Sequence, residues 1–196
     1  MNRIINMCLE ASIAMAILLP VFFIGNHFFV RDLRRTACYC VFAFYLAAVD
    51  SVVGLPSIAY IRFDLNVNLQ PFSYMFSDYG NSLLNIVLFV PLGMMLPLFC
   101  PAFQKFWKTA LFGLCISLAI ELLQIFTFRA TDVNDLITNS AGTILGWCAA
   151  RSLSSGSLIT VPGWRPREVF AVTALTFGAM FFLHPFVSGL IWSLLA

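Results

Sequence analysis

Long apolar runs separated by short polar loops organise this chain of 196 residues. A helix needs about 20 predominantly apolar residues to cross the hydrocarbon core of a bilayer. On that measure the sequence predicts six spans: about Cys8 to Val30, Thr36 to Gly54, Ser82 to Phe99, Phe106 to Phe128, Val133 to Ala150 and Glu168 to Leu195. The sixth is long enough to tilt, or to break at His184-Pro185, because proline removes a helical hydrogen bond. In the broken case a short interfacial segment follows His184. Pro91 lies mid-span in the third run and implies a kink, which would widen a cavity below Asn85. The longest loop, Leu55 to Asn81, holds Pro56 and Pro71. Its stretch Asn68-Leu69-Gln70-Pro71-Phe72 reads as extended and ending in a turn, since the residue before proline avoids the helical region. Its aromatics, with Tyr60, Tyr74 and Tyr79 among them, read as interfacial anchors. No internal repeat or low-complexity tract is visible.

Composition strengthens the membrane reading. The chain is 61% hydrophobic and 10% charged, with mean hydropathy +0.92. Soluble domains carry about 25% charged residues. The expected class is therefore all-α: a polytopic integral membrane helical bundle of about six transmembrane helices, one membrane domain over 1–196 with no soluble domain. The N-terminal run is long, contains Pro20 and has no small-x-small site, so it reads as a span and not a cleavable signal. Six cysteines (Cys8, Cys38, Cys40, Cys100, Cys115, Cys148) are scattered through apolar segments without metal-ligand spacing, so they read as packing residues. No metal and no cofactor are expected. No basic run points to nucleic acid.

Charge is informative by position. If the spans alternate, Arg31, Arg34, Arg35, Lys105, Lys108, Arg151, Arg165 and Arg167 fall on one side, against Arg3, Arg62 and Arg129 on the other. Basic residues favour the cytoplasmic loops, so both termini are expected outside. Asp64, Asp78, Asp132 and Asp135 then fall in or beside the outer loops.

Several polar residues sit where lipid does not tolerate them. An ionisable group at the centre of a spanning helix costs roughly 2.5–3.5 kcal/mol unless a partner relieves it, and is a site candidate by default. Glu121 and Gln124 share a helical face, and so do Asp132, Asp135 and Asn139, by their spacings of three and four. That second stripe continues through Gly142 and Gly146, a GxxxG pattern that lets backbones approach closely. The fifth helix must turn this small and polar face inward, because lipid supplies no hydrogen bonds. Asn85 lies one turn into the third span, and Arg129 in the connection before the fifth. The candidate site is Asn85, Glu121, Gln124, Arg129, Asp132, Asp135 and Asn139. Each has a plainer role open to it. Asp132 can cap the fifth helix, Asn139 can bond Asn85 between helices, and Arg129 can pair with Glu121 or Asp135. His184 reads as a satisfied bundle histidine.

Four blocks occur in order: the loop Asn68 to Phe72; Asn85 through Gly93, an NxxLFxPLG pattern; Glu121-Leu122-Leu123-Gln124; and Ala130-Thr131-Asp132-Val133-Asn134-Asp135 on to Asn139, Gly142 and Gly146. Together they resemble the VanZ-like membrane protein family over about Asn68 to Trp147, within a motif region of about 60–150. The resemblance implies a small integral protein of a bacterial cell membrane that lowers susceptibility to glycopeptide and lipoglycopeptide antibiotics such as teicoplanin. It establishes no reaction. Expected partners are membrane lipids and, by the resemblance, a lipid-linked cell-wall precursor or the lipoglycopeptide itself; the oligomeric state is open. The leading expectation is an outward-facing polar pocket that binds an envelope component, with Arg129 on an anionic group. One rival is a membrane-embedded enzyme using Glu121 and Asp135 as acid and base on a lipid-linked substrate, although no Ser-His pairing or phosphate loop appears. Another is a structural partner of a second membrane protein. Transport fits less well, since no repeat is visible.

Overall fold

A computed structural model of the chain describes residues 3–72, 79–127, 129–153 and 164–195. Tyr74 and Asp78 lie outside the described residues. The described residues are all-α apart from one two-stranded pairing. The helices are α1 (Arg3–Gly25), α2 (Leu33–Val53), α3 (Tyr79–Phe99), α4 (Phe106–Gln124), α5 (Val133–Leu153), α6 (Pro166–Phe182) and α7 (His184–Leu195). The strands β1 (Val67–Asn68) and β2 (Thr131–Asp132) run parallel.

Four segments, Leu9–Val30, Leu33–Val53, Tyr79–Phe99 and Phe106–Gln124, are each long and apolar enough to cross a membrane. α6 and α7 pass the same test together, as one span bent by 51°. Composition thus supports four or five spans where six were expected. The difference is α5, which has 21 residues but carries Asn134, Asp135, Thr138, Asn139, Ser140 and Thr143. Its polar side chains are turned on protein and so lower its hydropathy below that of a lipid-facing helix.

The chain divides into two compact units. The first holds residues 1–61 and 167–196. Here α1 continues as a π-helical turn over Asn26–Val30, closed by Arg31 in the left-handed conformation. Asp32 then caps α2 by accepting the Arg34 and Arg35 N–H groups. Arg35 pairs with Glu168 at the start of α6. Pro185 sits in the first turn of α7, where its missing N–H costs no helical bond. The break expected near His184 is therefore a bend between two helices.

The second unit, residues 62–166, carries α3, a 3-10 turn at Pro101–Gln104, α4 and α5. The expected inward face of α5 is present: Thr138, Asn139, Gly142, Thr143, Gly146 and Ala150 are buried. Gly142 and Gly146 bring α5 against the backbone of α3. A Cβ on Gly142 would overlap the Ile86 carbonyl, and one on Gly146 the Val90 carbonyl. Around Pro91 the sequence suggested a kink and a wider cavity. α3 stays helical through Pro91 and Pro97. The absent side chain of Gly93 is filled by α5, since a Cβ there would overlap the Thr143 carbonyl. At Gly93 the two backbones pack closely.

Candidate functional site

The site stands on the antiparallel face between α4 and α5. Residues four apart on one helix meet residues four apart on the other. Deepest, Gly113 of α4 leaves just enough room for Thr143, whose Oγ1 and Cγ2 would lie 2.5 Å from a Cβ at that position. One turn out, Asn139 Nδ2 donates to Ser117 Oγ at 3.0 Å. A further turn out stands Glu121, with Asp132 and Asp135 close enough for their charges to act on it. Thr143 is held between glycines of two helices, Gly93 and Gly113, so α3, α4 and α5 pack closely there. Polar groups occupy the levels above it.

The short connection after α4 is folded back onto Glu121. The Asp132 N–H donates to Glu121 Oε2 at 2.8 Å, and Thr131 Oγ1 donates to the Glu121 carbonyl at 3.0 Å. Asp132 in turn starts α5: its Oδ1 accepts the Asn134 N–H at 2.8 Å, the expected cap, and Asn68 Nδ2 at 3.1 Å. The loop before α3 is thereby bonded to the same place. The Thr131 N–H donates to the Asn66 carbonyl, continuing into the β1–β2 pairing. Asn134 holds the far end of that loop, accepting the Phe72 N–H at 2.6 Å and donating to the Gln70 carbonyl at 3.5 Å. Phe72 needs such a hold, because its φ of 61° is rare for a bulky residue.

Of the predicted residues, Glu121, Asp132, Asp135 and Asn139 come together. Gln124 is buried at the end of α4, where its carbonyl accepts the Thr127 N–H and Oγ1. Asn85 lies on α3 beside Ile86, the residue that meets Gly142 of α5. Its expected bond to Asn139 does not form, since Asn139 reaches Ser117 instead. Arg129 does not form the ion pair open to it. It is exposed, and among the described residues it makes no ion pair with Glu121 or Asp135. A guanidinium remains solvated at the rim more cheaply than it enters a low-dielectric interior. Its charge still reaches Glu121 through space.

Among the described residues, Asn139 Oδ1 and Asn85 Nδ2 are buried amide atoms with no hydrogen-bond partner. Asn139 is only 3% exposed. A buried polar group left so costs about 1–3 kcal/mol. Acceptors thus dominate among the residues brought together (the carboxylates of Glu121, Asp132 and Asp135 and the Asn139 carbonyl), and the Asn85 amide is a buried donor on α3. Such a set suits a ligand that brings hydroxyl or amide N–H groups. Sequence reasoning missed Ser117 and Asn134. Ser117 lay one turn from Glu121 and could have been found by extending that stripe; nothing local marked Asn134 as the residue that holds the loop.

A family model described as VanZ/LLP1 matches residues 36–154, more than half of the chain. It reaches further toward the N-terminus than the four sequence blocks and takes in α2. Protein VanZ of Enterococcus faecium is 34% identical over 88 residues, covering 41% of this chain and 50% of that protein. The chain spans about half the length of this curated relative. No solved structure matches.

Proposed function

We propose a binding role that starts from one fact: the chain belongs to the VanZ/LLP1 family. In this reading the membrane protein binds a hydroxyl- or amide-bearing part of an envelope component, such as a lipid-linked wall precursor or a lipoglycopeptide. Binding lowers susceptibility to glycopeptide antibiotics, teicoplanin foremost. Glu121, Asp135 and Asn139 accept hydrogen bonds from the ligand and Asn85 donates one. Asp132 and Gln124 shape the site, and Arg129 stands at its rim. With α5 taken as a sixth crossing, the site faces the extracytoplasmic side with both termini outside, a reading supported by the distribution of Lys and Arg among the loops.

The single observation that carries the proposal is Asn139. A structural network would close on itself, whereas here a fully buried amide keeps its carbonyl open one turn from a buried carboxylate. Natural proteins satisfy nearly all such groups. The test is teicoplanin and vancomycin susceptibility of a sensitive Gram-positive host expressing wild type, Glu121→Gln or Asp135→Asn at matched membrane levels. Selective protection from teicoplanin by wild type, weakened in both variants, supports binding. Complete loss on Glu121→Gln with ligand still bound by the purified variant would favour acid–base chemistry. Full protection by both variants would leave only a structural role.

A further inference from the structure

The segment 62–69 alternates in character: Arg62, Asp64, Asn66 and Asn68 between Phe63, Leu65, Val67 and Leu69. In an extended chain such residues face opposite sides. Its backbone is bonded along the connection that follows α4. The Arg62 N–H donates to the Phe126 carbonyl, the Asp64 N–H to the Ile125 carbonyl, and the Asn66 carbonyl accepts the Thr131 N–H. Asn68 adds its side-chain bond to Asp132. The four apolar side chains are left outward. Leu65 is 67% exposed and Leu69 75%.

An exposed apolar row of this kind has an occupant to be named, and α4 names it. Leu111, Leu114, Leu118 and Leu122 form an exposed stripe on α4, a helix long and apolar enough to cross a membrane. Spaced three and four apart, they share one face. The stripe runs on to exposed Phe126, whose ring packs against Phe63 with centroids 5.9 Å apart. The row 63–69 is thus the continuation of an exposed apolar surface on a helix able to cross a membrane. Its alternating polar edge suits the interface and not the hydrocarbon core, where every backbone group needs a partner within the protein.

We infer that residues 62–69 form an interfacial strap, with the apolar edge set among the acyl chains of the bilayer and the polar edge bonded to the connection between α4 and α5. The row and the stripe carry this inference without the proposed binding role. The strap holds Asp132, and with it Glu121, at headgroup depth, where a lipid-linked polar group would arrive sideways from the leaflet.

The test is photo-crosslinking of the full chain in vesicles of phosphatidylethanolamine and phosphatidylglycerol, with p-benzoylphenylalanine replacing Phe63, Leu65 or Leu69 in one set and Asp64 or Asn66 in another. Lipid adducts several-fold more abundant in the first set are expected. Equal adducts in the two sets, or adducts to a protein at the apolar positions, would overturn the strap. A second measurement needs no substitution. In nanodiscs, the labelled methyl groups of Leu65 and Leu69 should be broadened by acyl-chain nitroxide lipids and spared by an aqueous gadolinium chelate. The reverse pattern would overturn the inference equally.

Discussion

Two glutamates on apolar helices, the half-buried Glu10 and the buried Glu121, are treated in opposite ways. Glu10, on α1, is surrounded by donors from a single stripe of α7. His184 Nε2 lies 2.9 Å from Oε2, Ser188 Oγ 2.9 Å from the same oxygen, and Trp192 Nε1 donates to Oε1 at 3.1 Å. Those donors recur every four residues, so one helix face closes the whole carboxylate. Glu121, on α4, accepts the Asp132 N–H, but its other charged neighbours include two carboxylates, and Asn139 one turn away keeps an open carbonyl. A carboxylate within an apolar helix is a general marker of function, and it would mark both. The difference lies in completeness. A carboxylate whose neighbours are all donors is a latch between helices, while one set among further acceptors has hydrogen-bonding capacity directed at something else.

The comparison can be broken most severely through its scaffold. Gly146→Leu forces a side chain into the Val90 carbonyl and should cost more than about 3 kcal/mol, beyond ordinary overpacking of side chains. The expected outcome is loss of monodisperse protein on size-exclusion chromatography. Gly178→Leu is the control, because nothing lies within 4 Å of its Cβ position, and it should leave the elution profile unchanged.

Asn139→Leu sharpens the contrast. Combined with Ser117→Ala, so that no buried hydroxyl is left without its donor, it replaces both partners by apolar groups, which is nearly neutral or stabilising when buried, yet it removes the open acceptor. Teicoplanin protection should fall away while the thermal midpoint holds or rises. A lowered midpoint with protection intact would mean that Asn139 is structural. Glu10→Ala should do the opposite. Loss of hydrogen bonds to a charged group lowers stability by about 2 kcal/mol, with protection retained at matched protein levels, as thermal unfolding and susceptibility together would report. Arg129→Gln should have the smallest effect. The side chain is exposed and unpaired among the described residues, so stability should change by less than about 0.5 kcal/mol, and protection should persist. A sharp loss of protection would restore the anion-holding role expected from sequence.

The legible parts of this protein are those whose cause is local. Apolar length placed the helices, and the stripe Asp132, Asp135, Asn139, Gly142, Gly146 identified the inward face of α5 because helical spacing is a property of the chain alone. Asp132 was read as a cap and is one. What escaped depended on partners distant in sequence. Asn139 bonds Ser117 in place of Asn85 because α4, and not α3, presents a hydroxyl at that level. Gly93 stood in the sequence only as the end of a motif block, and its role appears only when the Thr143 carbonyl arrives beside it. The loop before α3 was read as extended near Asn68, but its bonding to residues 125–134 could not be inferred from that reading.

By itself the sequence determined an all-α membrane protein, its family and the set of polar residues that lipid would not accept, because hydropathy, helical period and motif order are written along one dimension. The tertiary structure decided which of those residues share a site. It closed Glu10 with α7, left Asn139 open beside Glu121, sent Arg129 to the rim and packed α3, α4 and α5 closely at Thr143. The reason is that satisfying a buried polar group is a question of which helix stands opposite, and that is settled by backbone approach at a few glycines and not by the polar residue's own neighbours in the chain.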